Sequence, residues 1–446
     1  MKFIKQNILK FFRVTVILLF LLSCLGYVFF RLGRGDLQLG PLTKPLVIFA
    51  TFPTKVKQVL TSNEISGIPP TYVKKDSLFV EFNNLTYDLY GLNAYWNIDL
   101  KRWDVALFNF KNDAILHRWF VEKEGLDFTN TIMQFQNSRL FNSLLAEDKS
   151  LITSNNLTAN LMKLDSNSNV IWRNQERIFH HSLNFDTEKN IWACTSDFPN
   201  KTMKRSSGIK NLNGKAISFE ENYITKIDGK TGKLLFNKGV SEILIENNYK
   251  NFVYGFSNPR IDPDDDPIHL NDIEPVLEDS KYWKKGDVFL SMRHRSLVML
   301  YRPSTNKILR LIYGPFINQH DVDIISGEEI SIFNNNYMVD GEEGTTKEFD
   351  GEIDALTSSE IVIYNFRDST FRTHLNQYFV EEEIKTYSQG LHKILSNGDV
   401  YVEAENFGKL YLLNEKGIIM RKGLKTPKEG YFHRPNWIRI FEELNF

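Results

Sequence analysis

The histidines of this sequence recur at a fixed distance from a following strand. His181 lies ten residues before Ile191 in the segment HSLNFDTEKNI, and His320 lies ten residues before Ile330 in QHDVDIISGEEI. His269 opens HLNDIEPV with the same histidine four residues before a hydrophobic residue, and a longer turn delays its second strand. Three histidines at the head of equivalent strands indicate one shared site.

Arg293 is the fourth candidate, in the strand GDVFLSMRHR that follows His269. A salt bridge at a strand edge is the alternative role for this arginine. Three neutral imidazoles could hold zinc or a similar divalent ion and leave an open position for water. The same residues could instead bind an anion, with one histidine attacking a sulfuryl or phosphoryl group. A guanidinium fork matches tetrahedral oxyanions and would repel a metal cation, so Arg293 favours the second chemistry, with no metal.

A repeated hairpin supplies the elements that would bring these residues together. Alternating apolar residues, a polar turn and a second apolar strand recur six times, which predicts six β-hairpins. The hairpins begin at Asp104, Leu161, Tyr223, Leu297, Ile361 and Lys409. A second strand pair precedes several of them, so each repeat has four strands. The sequence therefore predicts an all-β protein, a six-bladed β-propeller whose first strands line a central channel.

Composition excludes several other classes of protein. Of 446 residues, 42% are hydrophobic and 24% are charged, as in a globular protein rather than a disordered or multi-span membrane chain. The formal net charge of −1 provides no basic field, so no nucleic-acid partner is expected. The two cysteines exclude a disulfide scaffold, and Cys194 is expected to be a buried small hydrophobe. Glycine-rich phosphate loops and a Rossmann fingerprint are absent, so no cofactor is expected.

The N-terminal segment departs from this average. Residues 14–30 carry no charge and lie between Arg13 and Arg31. At about 1.5 Å per residue they span roughly 26 Å, near the lower limit for crossing a bilayer core. This predicts a single transmembrane anchor over 14–30, with the basic residues 1–13 in the cytoplasm and the rest of the chain on the extracytoplasmic, periplasmic side. A cleaved or lipidated signal peptide, acylated at Cys24, is the alternative.

The rest of the chain divides into a lead-in and the propeller. Residues 31–99 fit the repeat poorly, so we expect a linker with a small β-rich region, or an early strand that closes the ring against the C-terminal segment WIRIF. The propeller is predicted to span 100–446. Two acidic loops, 262–267 and 340–354, are expected to be solvated, since two prolines and the lack of a ligand-spaced glycine argue against calcium in the first.

Several motifs, taken in order, resemble those of a known family. They are HHSLNF around His181, DPIHLNDIEPV followed by GDVFLSMRH, and GPFINQHDVDII followed by ISIFNNN. These motifs resemble the bacterial arylsulfate sulfotransferases from about residue 100 to the end of the chain, most densely between 180 and 336. The sequence departs from the family at Asn334, where an aspartate is frequent, and lacks the cysteine pair of some members. His180 beside His181 leaves the first histidine ambiguous by one position.

The resemblance implies sulfuryl transfer from an aryl sulfate donor to a phenolic acceptor without a nucleotide. His320 would be the catalytic nucleophile and become transiently sulfated. His269 and Arg293 would hold the sulfuryl oxygens, with His181 as a further catalytic contact and Asn271 as a substrate-binding donor. A homodimer is also compatible with the sequence. The alternative function is a membrane-tethered, non-catalytic propeller that binds a sulfated ligand or a protein partner.

Overall fold

The structure is a computed structural model of the single chain, and it describes residues 2–33, 68–69, 71–128, 135–197, 205–210, 216–254, 266–337 and 358–444. The chain divides into two compact units, Met1–Pro70 and Thr71–Phe446. The acidic loop predicted at 340–354 lies outside the described residues, as do residues 262–265 of the other acidic loop.

The first unit contains the helix α1 (Lys2–Gly33). Within the described residues, no helix is both long enough and apolar enough to cross a membrane. The transmembrane anchor predicted for residues 14–30 is therefore not supported. Its uncharged run between two arginines is close to the minimum length for a span. The location of the rest of the chain on the extracytoplasmic, periplasmic side stays a prediction.

The second unit consists almost entirely of short antiparallel strands. The strands before residue 200 are β1 (Tyr72–Lys74), β2 (Phe82–Asn83), β3 (Tyr90–Asn97), β4 (Arg102–Asn109), β5 (Ile115–Val121), β6 (Leu140–Leu145), β7 (Leu151–Asn155), β8 (Leu161–Leu164), β9 (Val170–Asn174), β10 (Ile178–Phe185) and β11 (Ile191–Ser196). Those between residues 205 and 335 are β12 (Arg205–Lys210), β13 (Ala216–Phe219), β14 (Asn222–Ile227), β15 (Leu234–Gly239), β16 (Leu270–Pro275), β17 (Val288–Met292), β18 (Leu297–Arg302), β19 (Lys307–Tyr313), β20 (Val322–Ile324) and β21 (Glu329–Asn334).

The remaining elements complete the unit. The last strands are β22 (Glu360–Asn365), β23 (Thr370–Thr373), β24 (Leu391–Ile394), β25 (Val400–Ala404), β26 (Lys409–Asn414), β27 (Gly417–Lys425), β28 (Tyr431–His433) and β29 (Arg439–Phe441). The short helices are α2 (Val240–Glu246), α3 (Asn251–Tyr254) and α4 (Asn376–Glu381), and single 3-10 turns lie at Arg293–Arg295, Pro303–Thr305 and Glu405–Phe407.

Among the described residues, six antiparallel sheets of four strands follow one another along the chain. Sheet 1 is β29-β3-β4-β5, sheet 2 is β6-β7-β8-β9, sheet 3 is β10-β11-β14-β15, sheet 4 is β16-β17-β18-β19, sheet 5 is β20-β21-β22-β23 and sheet 6 is β24-β25-β26-β27. The strands β1, β2 and β28 extend sheet 6, and β12 pairs with β13 alone. The all-β prediction is confirmed, and each predicted hairpin forms the third and fourth strands of one sheet.

Burial changes from the inner to the outer strands for a simple reason. The residues of β11 (IWACTS) are all buried, because both faces of an inner strand pack against neighbouring sheets. The outer strand β19 (KILRLIY) leaves several residues exposed. Apolar clusters lie between consecutive sheets, for example Trp192 and Ile224 of sheet 3 with Leu290 and Met299 of sheet 4. The core is therefore divided into layers between the sheets.

The two ends of the unit meet in sheet 1. The last strand, β29, pairs with β3, with Arg439 opposite Leu92. This confirms the prediction that an early strand closes against the WIRIF segment, and sheet 1 begins at Tyr90, ahead of the predicted boundary at 100. Backbone N–H groups of Trp437 and Ile438 donate to the carboxylate of Glu403 in sheet 6, each at 2.9 Å. Burial raises the pKa of Glu403 to about 8.

Side chains of the inner strands tie consecutive sheets together. Backbone N–H groups of one inner strand donate to a side chain of the preceding one, from Leu183 to Asn142, Ile273 to Ser182, Val322 to Asp272 and His392 to Asp321, at 3.1–3.3 Å. A cavity of 270 Å³ lies between these strands, and residues of all six sheets line it. The first strands therefore converge on one space, and this convergence positions the site.

Candidate active site

The three histidines predicted from the sequence meet in space. His181 lies within β10, His269 lies directly before β16, and His320 lies two residues before β20. The ring centroid of His181 is 5.4 Å from that of His269 and 6.0 Å from that of His320. His181 is 8% exposed and His320 is 1% exposed, so both rings are shielded from bulk water.

Strand pairing refines the register of the three histidines. His181 and His320 each lie four residues before the last paired residue of their strand, so they are equivalent, as predicted. In β16 the residue at that position is Asn271, and His269 lies two residues further upstream. A β-bulge in β16 and the turn before it still bring the His269 ring to the other two. Equivalence in sequence pattern was therefore exact for two histidines and approximate for the third.

The backbone at two of these histidines is unusual. His181 has φ +54° and His269 has φ +51°, in the left-handed region that non-glycine residues seldom adopt. Trp437, at the head of the first strand of sheet 1, has φ +56°. Such conformations cost free energy and persist where the surrounding structure imposes them, often at functional sites.

Trp437 is a site residue that the sequence reasoning missed. Its ring centroid lies 6.1 Å from that of His181 and 6.3 Å from that of His320, and it is 1% exposed. The segment WIRIF was interpreted only as a closing strand. Its place at the head of an inner strand, in the same repeat position as the histidines, is the signal that could have identified it.

Arg293 joins the histidines from the end of β17. It begins the 3-10 turn that follows this strand, and its backbone N–H donates to the carbonyl oxygen of His269 at 3.0 Å. The ring of the next residue, His294, stacks on His269 with centroids 4.4 Å apart. The Arg293 charge acts on both His181 and His320, which places the guanidinium within electrostatic reach of both imidazoles.

The environment keeps two of the imidazoles neutral. Burial is the main cause that lowers the pKa of His181 well below its usual value, and the neighbouring histidines and Arg293 lower it further. For His320, burial is again the largest cause and Arg293 the second, and its pKa also lies well below the usual value. Both rings therefore present an unprotonated nitrogen at neutral pH.

Geometry resolves the choice between His180 and His181. The Nδ1 atoms of the two residues lie 2.8 Å apart. The His181 ring contacts His269 and His320, whereas the ring contact of His180 within the described residues is with His181. Burial lowers the pKa of His180 to about 4. His181 is therefore the member of the site, and His180 supports it from the same strand.

Asp266 holds His269 in place. Its carboxylate accepts hydrogen bonds from the backbone N–H of His269, at 3.0 Å, and from Nδ1 of the same residue. Burial alone would raise the pKa of Asp266, but its hydrogen bonds with His269 and the nearby His294 lower it to about 2. The prediction that this loop is simply solvated is therefore wrong for Asp266, which is bonded into the site.

Asn271 lies beside the site but is fully buried. Its Nδ2 donates to the carbonyl oxygen of Gln319 at 3.1 Å, which ties β16 to the segment before β20. Its Oδ1 has no hydrogen-bond partner among the described residues. The structure thus shows a bridging role for Asn271, and the substrate contact expected for it stays a prediction.

Two clusters within the described residues could hold a metal ion by the proximity of their ligand atoms. One is Asp266, His269 and His294, and the other is Asp321, Asp323 and His392, each with all ligand atoms within 4.8 Å of one another. Neither cluster is the set His181, His269 and His320 that the sequence raised as a metal alternative. In the first cluster, the carboxylate already bonds to His269, so its geometry is explained without a metal.

Six sheets whose inner strands converge, with three histidines at or near the heads of inner strands and Arg293 at the end of β17, define a β-propeller protein with a site of histidines and an arginine. A family model described as Arylsulfotransferase (ASST) matches residues 142–423. The chain belongs to this family of sulfotransferase enzymes, which confirms the resemblance seen in its motifs.

Comparison with solved structures gives weaker similarities. A protein of unknown function from Bacteroides caccae is 11% identical, with a TM-score of 0.47, over 80% of this chain and 100% of that one. Virginiamycin B lyase from Staphylococcus aureus is 9% identical, with a TM-score of 0.35, over 65% and 71%. The WD40 β-propeller domain of Doa1 is 10% identical, with a TM-score of 0.38, over 83% and 96%. Comparison with curated proteins finds no match.

Proposed function

We propose that this protein transfers a sulfuryl group from an aryl sulfate ester to a phenolic acceptor through a sulfated His320, by a ping-pong mechanism without a nucleotide. The observation that carries the proposal is the meeting of three histidine rings with Arg293 in a chain of the arylsulfotransferase family. The six sheets form a closed six-bladed ring in this proposal, with the site at the axial heads of the inner strands.

The first half-reaction uses the neutral His320. A lone pair of its imidazole attacks the sulfur, and the bond from sulfur to the aryl oxygen breaks with its electron pair left on that oxygen. His269 protonates the leaving phenolate. Its bond to Asp266 fixes the Nδ1 side of the ring, so the second proton sits on Nε2.

The second half-reaction reverses these roles. His269 takes the proton of the acceptor phenol, and the phenol oxygen attacks the sulfur. The nitrogen–sulfur bond then breaks and its electron pair returns to His320. Throughout, Arg293 and the His181 ring face the developing negative charge on the sulfuryl oxygens, where charged donors stabilise a transition state more than in water. Trp437 offers an aromatic surface beside the two rings on which the aryl group can stack.

An assay with 4-nitrophenyl sulfate as donor and phenol as acceptor tests the proposal. The wild-type protein should release nitrophenol only as fast as the acceptor removes the sulfuryl group. The variant His320→Ala should lose turnover by at least about 1,000-fold, as expected when a nucleophile is removed. His117→Ala is the matched control, since that histidine lies on the outer strand β5 and bonds to the carbonyl oxygen of Ser166.

The outcome separates this function from ligand binding alone. Full turnover of His320→Ala, in protein whose circular dichroism matches the wild type, would contradict the proposal. Absence of turnover in the wild-type protein, together with retained binding of the aryl sulfate, would favour the non-catalytic alternative.

A further inference from the structure

A second charged cluster lies where the inner strands converge. It consists of Arg139, Glu405 and Arg434, and we call it the Arg434 cluster. The guanidinium of Arg139 bonds to the carboxylate of Glu405, which is fully buried. Arg139 directly precedes β6 of sheet 2, and Glu405 directly follows β25 of sheet 6. Sheet 1 packs against both of these sheets, so residues of sheets 2 and 6 can meet only near the axis of the proposed ring.

Two members of the cluster correspond in position to two residues of the histidine site. Glu405 begins a 3-10 turn directly after the second strand of sheet 6, as Arg293 does in sheet 4, and both turns end at a residue with a left-handed backbone. Arg139 directly precedes the first strand of sheet 2, as His269 does in sheet 4. Both residues therefore occupy, on other sheets, the places from which Arg293 and His269 reach the site.

Contacts with His320 also place the cluster beside the site. Asn335 follows the second strand of sheet 5, and its Oδ1 lies 2.6 Å from Nδ1 of His320. Gln389 lies shortly before the first strand of sheet 6, and its backbone N–H contacts the same ring at 2.9 Å. Burial raises the pKa of Glu405, and a hydrogen bond from the backbone N–H of the next residue, Gly390, is among the interactions that oppose the shift. Glu405 is therefore bonded to the segment that contacts His320.

Arg434 is the member of the cluster whose charge is not paired. Its Nε is buried without a hydrogen-bond partner, and its guanidinium makes no hydrogen bond or ion pair with any described residue. Burial is the main cause that lowers the pKa of Arg434, Arg139 lowers it further, and Glu405 opposes the shift. An arginine nevertheless keeps its proton. Because Arg139 and Glu405 offset each other, the cluster carries one positive charge with no bonded partner among the described side chains.

Arg434 lies close to Trp437 along the chain. Three residues span at most about 10 Å, so the two backbones are near each other. Nδ2 of Asn436 donates to the carbonyl oxygens of Ala94, at 2.6 Å, and of Arg434, at 3.3 Å, which holds this segment against β3. The ring centroid of Trp437 lies 6.3 Å from that of His320. One short segment therefore connects the aromatic surface beside the histidines to the unpaired cation.

We propose that Arg434 binds an anionic group of the substrate, so that the enzyme prefers phenols, and their sulfate esters, that carry a carboxylate on the ring. This inference rests on the proposed function and names the substrate class for the same site. The sulfuryl group would lie at His320 and Arg293, the aryl ring on Trp437 and the carboxylate at Arg434. A guanidinium binds a carboxylate through two parallel hydrogen bonds, and the substrate would supply the partner that the described chain does not.

Glu405 opposes the binding of an anion at this subsite. Its Oε2 is buried and has no hydrogen-bond partner among the described residues. The negative charge of Glu405 therefore repels a substrate carboxylate, and Arg139 offsets only part of this repulsion. Replacement of Glu405 by the neutral glutamine should strengthen the preference for an anionic acceptor, whereas replacement of Arg434 should weaken it.

Two acceptors of similar shape test the inference, 4-hydroxybenzoate and the neutral 4-hydroxybenzamide. With saturating 4-nitrophenyl sulfate as donor, the release of nitrophenol gives kcat/KM for each acceptor. The ratio of the benzoate value to the benzamide value is compared between variants, so the intrinsic reactivities of the two phenols cancel. Arg434→Gln should lower this ratio by about 10–100-fold, as expected when a hydrogen-bonded charge pair is lost.

Three further variants sharpen the test. Glu405→Gln should raise the ratio by about 3–10-fold, because the subsite becomes more positive. Arg434→Lys keeps the charge without the planar fork, so its ratio should lie between those of the wild type and Arg434→Gln, and it provides the test should the glutamine variant not fold. Arg118→Gln is the matched control, since this arginine is exposed on the outer strand β5, and its ratio should equal that of the wild type.

The outcomes separate the inference from the function on which it rests. An unchanged ratio in Arg434→Gln and Arg434→Lys would overturn the inference, and so would an equal loss for both acceptors in variants whose circular dichroism matches the wild type. Transfer to phenol would persist in the wild-type protein in both cases. Absence of transfer to any phenol by the wild-type protein would overturn the proposed function and this inference together.

Discussion

His320 and His269 show how two identical side chains in one site can be given different roles. His320 is buried, lies near Arg293 and bonds to a neutral amide, so its ring stays unprotonated. His269 bonds through Nδ1 to the carboxylate of Asp266 instead of to a neutral amide. In the proposed mechanism, the division between nucleophile and general acid follows from these partners rather than from residue type.

Replacement of Arg293 should affect both charge and geometry. Removing the positive charge in Arg293→Met should raise the pKa of His320, because that charge disfavours the imidazolium, so the acid limb of kcat/KM should move to higher pH. The rate at the optimum should fall by about 100–1,000-fold through loss of a donor to the sulfuryl oxygens. Profiles of kcat/KM against pH, recorded for the wild type and for Arg293→Met, measure the shift of the acid limb and the fall in rate.

Arg293→Lys is the matched comparison for this prediction. It keeps the charge but lacks the planar fork, so its acid limb should stay near that of the wild type while its rate still falls. Identical acid limbs in the wild type and Arg293→Met would contradict the electrostatic role. His269 and His181 also face His320 and are unchanged in both variants.

The site could be predicted in part from single residues. The ten-residue register identified His181 and His320, because a strand of fixed length places both at the same point. Asn335 and Gln389 could not be identified in this way. They lie in turns outside the repeat pattern, and their contact with His320 depends on the packing of sheet 5 against sheet 6.

At the scale of elements, the hairpins could be recognised from the local sequence pattern, but the bulges could not. Each outer hairpin pairs residues a few positions apart, so alternation and turn residues suffice to find it. The bulge in β16 adds a residue without any change in alternation that could be recognised. The alternation around His269 therefore matched that of the other two histidines, although its position along the strand differs by two residues.

Arg439 joins three sheets, so its replacement tests whether contacts between β29 and the neighbouring sheets stabilise the fold. From β29 its guanidinium donates to the carbonyl oxygen of Leu183, at 2.6 Å, to Asn184, at 3.1 Å, and to Asn142. Arg439→Met should lower the free energy of unfolding by at least about 3 kcal/mol, since hydrogen bonds to a charged group contribute about 1.5–3 kcal/mol each. Urea unfolding followed by circular dichroism measures the change.

Arg372→Met is the control for this stability prediction. Arg372 pairs with Glu329 on the outer part of sheet 5 and its side chain is 52% exposed. Exposed ion pairs contribute about 0–1 kcal/mol, so this variant should remain close to the wild type. Equal losses in the two variants would show that Arg439 does not hold the sheets together.

At the scale of the whole molecule, the cavity between the inner strands concentrates acidic groups. Asp272 and Glu274 of β16 line it together with Asp321 and Asp323. Burial, followed by the nearby Asp323 and Asp272 carboxylates, raises the pKa of Glu274 well above its usual value, although Lys393 opposes the shift. Its side chain makes no hydrogen bond or ion pair with any described residue. The cavity between the inner strands is therefore lined by a carboxyl group that favours its proton.

Glu274→Gln should change how stability depends on pH. A carboxyl group with a raised folded pKa contributes stability that is present below its unfolded pKa of about 4.3 and is lost as pH rises. As pH rises, the free energy of unfolding of Glu274→Gln should therefore increase relative to that of the wild type, by up to about 1.4 kcal/mol per pH unit. Urea unfolding at pH 5 and pH 8 measures this. Glu278→Gln, on an exposed residue, is the control, and parallel pH dependence of the wild type and Glu274→Gln would contradict the prediction.

The β-propeller was predictable because it is built from repeats, and a helix was correctly predicted at the N-terminus, but its role as a membrane anchor is not supported. Six similar hairpins allow only a few architectures, so the count of repeats led to the fold. For α1, a borderline apolar run between two arginines led to a membrane anchor that the structure does not support. The homodimer expected as one option has no support in the single chain and stays a prediction.

Detection of the sulfated enzyme tests the central claim most directly. Purified protein is mixed with excess 4-nitrophenyl sulfate without acceptor, quenched at mildly alkaline pH and analysed by intact mass and peptide mapping. One sulfuryl group per chain should appear on the peptide that contains His320, and it should disappear on addition of phenol. An unmodified chain in which donor is nevertheless consumed, or a sulfuryl group on another residue, would contradict the claim.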